Sequence, residues 1–331
     1  MRDVARLAGN VHPSTVSLVL RNSPNISPAT AKKVLDVARK IGYRRDPLLD
    51  AYNQHRMGVL PHKTEPVIAW IADLDSKDGL ENQEPQRSFW HGARAAAEHL
   101  HCKLEPFLVG RNQLSPERVN GILRARGITA LIVAALRLQT GRLAFSWEDF
   151  SAVKIESPHL AQPMYTISCD QRRAARLAFL RLYERGARRI GLVLQPGCGL
   201  WDGRLAASGF LFEQQSHPEA AQIAPLLLSE TAEAGAVLRT WLGRHRLDAL
   251  ISDSLQLRTL VAGLPSPSAL PEFVALDATG GPPDQEGVLP DHQRAGAQAV
   301  ELVVSLMRAN QRGTPAAAST TFLQPSYRDK Q

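Results

Sequence analysis

Cysteine is scarce in this chain, with three in 331 residues (Cys102, Cys169 and Cys198) and no Cys-x-x-Cys spacing. That excludes a disulfide framework and a thiolate zinc site, and it fits a reducing compartment. Long apolar runs are absent too. None approaches the roughly 18 residues needed to cross a bilayer, so no membrane partner is expected. The amino terminus lacks the apolar core of a secretory leader, so a cytoplasmic location is expected. Catalytic signatures are missing as well. There is no His-Glu-x-x-His, no Gly-x-Ser-x-Gly and no Walker A motif, and the ten histidines are scattered. "PGCGLWDG" supplies a Gly-x-Gly but misses the third glycine of a dinucleotide fingerprint by one residue. No catalytic residue, metal or cofactor is therefore expected, and an enzyme is not.

What is present is charge, unevenly placed. The net charge is +7. Residues 1–56 hold ten Lys/Arg against four Asp, a surplus of +6, which leaves +1 for the rest of the chain. Such asymmetry points to a polyanionic partner for the front segment. The alternative is a solvated, charged face.

That segment has helical order. Val4, Leu7 and Ala8 share a face of a first short helix, and a polar break follows at Gly9-Asn10. Pro13 suits the first turn of a second helix, with Val16, Val19 and Leu20 inward. Ser27 caps a third, with Pro28 next. Ala31, Val34, Leu35, Ala38 and Ile41 repeat at helical spacing, and Gly42 closes it. Three short helices with a tight turn between the first two make a helix-turn-helix, which presents its second helix to the DNA major groove.

The strings "RDVARLAG", "STVS", "SP.T...V...A...GY" and "DPLL" resemble the headpiece of LacI/GalR-type transcriptional regulators. By match to that motif, His12, Pro13, Ser14, Thr15, Ser17, Leu18, Arg21 and Asn22 would meet DNA. The hydroxyls would face bases or phosphates, and Arg21 and Asn22 would face phosphate. The alternative for Thr15 and Ser17 is local backbone bonding. Leu18 stands where the family often has an arginine; leucine can touch a thymine methyl but cannot bond guanine. Asn10 makes the turn one residue longer than the family pattern. Gly9 and Asn10 tolerate positive φ, so a bulge there is expected to absorb it. The next stretch, "RRDPLLDAYNQHR", resembles the family's hinge helix, with Tyr52 at the minor-groove wedge and Arg56 beside phosphate; a plain linker helix is the alternative.

From Pro66 onward, strand and helix patterns alternate: "VIAWIADL", "SFWHGARAAAEHLH", "CKLEPFLV", "SPERVNGILRARG" capped at Ser115, "ITALIVAAL" and "SAVKIESP". The order then restarts from "DQRRAARLAFLRLYERGARRIGLVL". Two α/β halves with parallel sheets and helices on both faces are expected. "LDALISDS", "VALDAT" and the late helix "AGAQAVELVVSLM" resemble the family's effector domain, which is similar to periplasmic sugar-binding proteins. The expected fold is thus an all-α helix-turn-helix headpiece followed by a two-lobed, periplasmic-binding-protein-like α/β domain. The expected boundaries are 1–45 for the headpiece, 46–64 for hinge and linker, and 65–331 for the body. Within the body, lobe 1 is expected at about 65–166 plus 284–313 and lobe 2 at about 167–283 plus 314–331.

In such folds ligands sit beyond the carboxyl ends of the strands. Candidate effector contacts are Asp73, Phe89, Trp90, Trp201 with its neighbour Asp202, Arg204, Asp253 and Asp277. Carboxylates and arginine can bond hydroxyls, and the aromatic rings can stack on a sugar. Ala206 stands where the family usually places its effector arginine, and Asp253-Ser254 replace an Asn-Asp pair. Each candidate could instead cap a loop or helix. The resemblance implies a homodimeric, operator-binding regulator in the nucleoid, a repressor, with a carbohydrate-like effector. The alternative is a cytoplasmic small-molecule receptor of the same fold with weak or lost DNA specificity.

Overall fold

The computed structural model describes residues 2–20, 26–41, 65–109, 113–134, 143–157, 160–195, 203–228, 233–253, 255–263 and 271–329; of Arg2, Ser17, Leu20 and Arg39 it describes the backbone. The chain divides into two compact units, Met1–Glu65 with Arg308–Gln311, and Pro66–Met307 with Arg312–Gln331.

The first unit holds α1 (Arg2–Leu7), α2 (Pro13–Leu20) and α3 (Pro28–Lys40). Their shared core is Val4, Ala5 and Ala8 with Val16, Val19, Val34 and Ala38. Leu7, expected inward, is 55% exposed, and Leu35 and Ile41 also face solvent. The buried face of α1 runs through positions 4, 5 and 8, one step round the helix, and places Ala5 where Leu7 was expected. On α3 Val34 and Ala38 are buried, with Ala31 and Val37 packed against the same core. The turn after α1 takes up its extra residue as expected, with φ +96° at Gly9 and +54° at Asn10. Asn10 N–H donates to the Arg6 carbonyl and Val11 N–H reaches back to Ala5, so the carbonyls at the helix end are used. Ser27 accepts from Thr30 N–H at 3.3 Å and caps α3.

The second unit contains two six-stranded sheets. In chain order its elements begin with β1 (Val67–Ala72), α4 (Gly79–Asn82), α5 (Gln86–His99), β2 (Lys103–Leu108), α6 (Pro116–Ala125), β3 (Ala130–Val133), β4 (Ser151–Ile155) and β5 (Tyr165–Cys169). They continue with α7 (Gln171–Glu184), β6 (Ile190–Leu194), α8 (Gly203–Ser216), β7 (Leu226–Leu227), α9 (Ala234–His245), β8 (Ala249–Ser252) and α10 (Gln256–Ala262). Last come β9 (Glu272–Ala275), β10 (Gly287–Leu289), α11 (His292–Arg308), β11 (Thr320–Leu323) and β12 (Ser326–Arg328).

The first sheet is ordered β11-β5-β4-β3-β1-β2, with every pairing parallel. The second runs β12-β10-β9-β8-β6-β7, with β12 antiparallel at its edge. Apolar clusters on both faces of each sheet account for the uninterrupted apolar runs of the strands. Helices α5 and α11 cross so closely that glycine is required on each. A Cβ on Gly296 would overlap the Phe89 carbonyl oxygen, and one on Gly92 would overlap the Gln293 carbonyl oxygen.

The chain passes between the lobes three times, after β5, after β10 and after β11. The expected lobe boundaries therefore need correction. Strand β5 runs to Cys169 in the first sheet, and β11 pairs with it, so 167–169 and 320–323 belong to the first lobe. Strand β10 pairs with β9 and β12, so 287–289 belong to the second. The physical reason is that β10, β11 and β12 are three or four residues long, too short to show a period in sequence.

Candidate DNA interface and interlobe site

In the headpiece, α2 begins at Pro13, and His12 caps it. The backbone N–H of Ser14 donates to His12 Nδ1 at 3.3 Å, and the Ser14 hydroxyl lies 2.6 Å from the same nitrogen. Thr15 N–H is spent on the His12 carbonyl. His12, Ser14 and Leu18 are exposed, whereas Pro13 and Thr15 are half-buried. The exposed face of α2 thus offers a hydroxyl held by an imidazole, then an aliphatic side chain one turn on. Such a face can read a base edge and a thymine methyl. The Ser17 side chain, Arg21, Asn22, Tyr52 and Arg56 lie outside the described residues. Lys32, Lys33 and Lys40 on α3 are exposed cations that sequence reasoning did not single out.

In the body, the carboxyl ends of the strands gather acidic side chains. Asp73 follows β1, Glu156 follows β4, Asp253 follows β8 and Asp277 follows β9. Asp253 accepts the Gln195 N–H on both oxygens at 3.1 Å, which ties the end of β8 to that of β6. Burial pushes its carboxyl up to about 6, against the pull of that N–H. A cavity of about 640 Å³ adjoins it, lined by Gln195 and, on α10, Gln256, Leu257, Thr259 and Leu260, with Gly263. Asp277 accepts Thr279 N–H at 2.9 Å and the His292 ring nitrogen Nε2 at 2.8 Å.

The expected aromatic contacts are placed differently. Phe89 is 1% exposed and meets the His292 ring edge-on at 4.8 Å. Trp90 is buried edge-on against Trp70, with its N–H donated to Glu81. Both rings serve the core of the first lobe, so neither offers a face for stacking. Arg204 is exposed in the first turn of α8. Trp201 and Asp202 lie outside the described residues.

The structure brings forward side chains the sequence reading missed. Gln86 and Gln171 are the first residues of α5 and α7, and each is 2% exposed. Both amide atoms of Gln86, Oε1 of Gln171 and the Thr279 hydroxyl are buried without a hydrogen-bond partner. Buried polar atoms are rarely left so, and unpaired ones mark places where another group can bind. A glutamine directly after a Pro or an Asp at a helix start was the visible signal. Among the described residues, no three His, Cys, Asp or Glu side chains are arranged to hold a metal ion. Among them too, no helix is long and apolar enough to cross a membrane.

Residues 1–46 match the family model for bacterial regulatory proteins of the lacI family. The amino-terminal unit is thus similar to the DNA-binding headpiece of that family. The family is one of DNA-binding transcriptional regulators and not of enzymes. The chain is 26% identical over 229 residues to the HTH-type transcriptional regulator TreR of Salmonella typhimurium strain LT2. The match covers 67% of this chain and 65% of that relative, just under two thirds of the relative's length. Among solved structures, it is similar to a complex of the transcriptional regulator CelR with cellobiose, at 20% identity and a TM-score of 0.62, over 99% of this chain and 98% of that one. It is also similar to the Lac repressor dimer bound to operator and the anti-inducer ONPF, at 17% identity and a TM-score of 0.56, over 99% and 97%. These two likenesses establish the fold, a headpiece followed by a two-lobed α/β body.

Proposed function

We propose that this LacI-type chain is a homodimeric, sequence-specific DNA-binding regulator, a repressor, whose operator affinity is set by a small polyhydroxylated ligand between the lobes. The observation that carries the reading is the helix-turn-helix with its own apolar core and exposed α2 face, in a segment that holds +6 of the chain's +7 charge. Two such headpieces would read half-sites about one helical turn apart. Phosphate neutralisation would supply much of the affinity, so binding would weaken steeply with salt.

The ligand half of the reading rests on the buried, unpaired amide of Gln86, the unpaired Oε1 of Gln171 and the Thr279 hydroxyl. With the nearby carboxylates they suit a neutral ligand rich in hydroxyls. A relative named for a complex with cellobiose agrees with that chemistry. Residues 1–45 would bind DNA, 46–64 would link, and the remainder would bind the effector and dimerise.

Leu18, exposed where an arginine is usual in the family, favours a second reading, a ligand receptor with weak DNA selectivity. Fluorescence anisotropy on promoter fragments separates the two. The full chain should prefer one fragment over a scrambled copy by at least about a thousandfold, the lower end of the range usual for specific binders. The chain lacking residues 1–64 should lose binding and keep its ligand response. Equal affinity for both fragments would support the receptor instead, and undiminished binding by the truncated chain would defeat both.

A further inference from the structure

At the level where the chain crosses between lobes, four titratable side chains from both lobes meet, three of them buried and Asp277 half-buried. Glu156 ends β4 and is 6% exposed; its Oε1 accepts Cys169 N–H at 2.7 Å, and its Oε2 accepts the Ser168 hydroxyl at 2.8 Å. The Gln171 amide stands 3.5 Å off. His292 opens α11 directly after the second crossing and is 1% exposed. Its Nε2 donates to Asp277 of the second lobe, and its Nδ1 lies 3.6 Å from the Cys169 sulfur of the first. The imidazole is therefore a bridge, held on one side by each lobe. Glu156 and Ser157 both sit at φ +48°. These are two consecutive non-glycine residues in the left-handed region, in the connection from β4 to β5 of the first lobe.

We propose that Glu156, His292 and Asp277, with Cys169 between them, form a proton-linked latch that holds the two lobes in their present arrangement and releases them as pH rises. The latch concerns regulation of the cleft assigned above and rests on that reading only for its consequence, a pH-dependent ligand affinity.

The charges facing each group give the sign. His292 is faced by Asp277 after β9, by Glu156 after β4, by Glu84 ahead of α5, and by Asp291 and the Cys169 thiol beside it. Desolvation opposes its charged form, but Asp277, followed by Glu156 and Glu84, holds it above the ordinary imidazole value. Burial raises the Glu156 carboxyl to about 7, against the N–H of Cys169, the Ser168 hydroxyl and the positive charge of His292. Burial and the surrounding carboxylates keep Cys169 a neutral thiol. Both Glu156 and His292 are raised, so each contributes stability that is complete below its ordinary value. Each contribution is lost as pH rises through the raised one. The two therefore act in the same direction, and the carboxyl's share is lost as pH rises to about 7.

The test uses the full chain without DNA or ligand. Hydrogen exchange is followed in peptides covering 164–171 and 288–295 at about pH 6 and pH 8, after correction for intrinsic rates. Release of one proton per opening lowers protection by about tenfold per pH unit between the carboxyl's ordinary value and about 7 and levels off above it, so protection should fall about tenfold from pH 6 to pH 8. Glu156→Gln, which fixes the protonated charge, removes the carboxyl's share and should show a smaller fall in protection between the two pH values than the wild type. Asp277→Asn, which removes the second-lobe anchor, should already lower protection at about pH 6 and flatten the profile. Either the same pH dependence in Asp277→Asn as in the wild type, or no pH dependence in the wild type, overturns the latch. Failure of operator binding leaves the latch standing, and failure of the latch leaves the regulator reading standing.

Discussion

The headpiece and the body are held together by different means. Among the described residues, the three short helices in the headpiece share a buried core of valine and alanine, Val4, Ala5, Ala8, Val16, Val19, Val34 and Ala38. The body fully buries Trp70, Phe89, Phe150, Phe179 and Phe210 among four apolar clusters. A small core of small side chains removes little apolar surface from water, so caps and turn geometry carry a larger share of its stability. A body with large rings is governed instead by packing, where close contacts leave no room for added atoms. The difference teaches that the same kind of substitution should act through different physics in the two regions.

The comparison breaks most sharply at Gly296. A methyl there would overlap the Phe89 carbonyl oxygen. Gly296→Ala should cost about 3 kcal/mol or more and lower the main unfolding transition seen by calorimetry. A transition unmoved by this change would mean that α5 and α11 are not packed as described.

Next is the headpiece turn. Asn10 holds φ +54°, a conformation that β-branched residues reach only at a cost. Asn10→Val should destabilise the headpiece by about 1–2 kcal/mol, while Asn10→Gly should leave it close to unchanged. Thermal circular dichroism of the helices, read beside operator affinity, would register both. An equal loss from the two substitutions would show that the side chain of Asn10, rather than its backbone, matters.

The smallest effect concerns a cap. Ser27→Ala removes the acceptor for Thr30 N–H and should cost about 1 kcal/mol in the headpiece alone. It sharpens the contrast because the equivalent change at Ser115, which caps α6 through Arg118 N–H, acts in a body stabilised mainly by packing. Ser115→Ala should therefore leave ligand response intact. A larger functional loss from Ser115→Ala than from Ser27→Ala would reverse the comparison.

Much of this was legible in the amino-acid pattern, for physical reasons. The parallel strands are buried on both faces, so "VIAWI", "ALIV" and "IGLVL" read as plain apolar runs. Ser27 and Ser115 announce their helices by chemistry that acts locally. The Gly9-Asn10 pair declares a left-handed turn because few other residues tolerate one. What was not legible depends on distant partners. Strands β10 and β11 exist only through their neighbours, so the lobe boundaries were misplaced. Phe89 and Trp90 read as exposed rings at a helix start, but α11 and β1 cover them. Glu156 and His292 lie 136 positions apart and gave no signal until the crossings brought them together.

The central claim is that the amino-terminal helices grip a defined DNA sequence through a surplus of positive charge. The most direct measurement is the affinity of the full chain for its best promoter fragment, and for a scrambled copy, across a salt series. The account requires a persistent preference for one fragment and a linear fall of log affinity with log salt for both, with a slope near −0.9 per phosphate neutralised. A flat salt response, or identical curves for the two fragments, would contradict it.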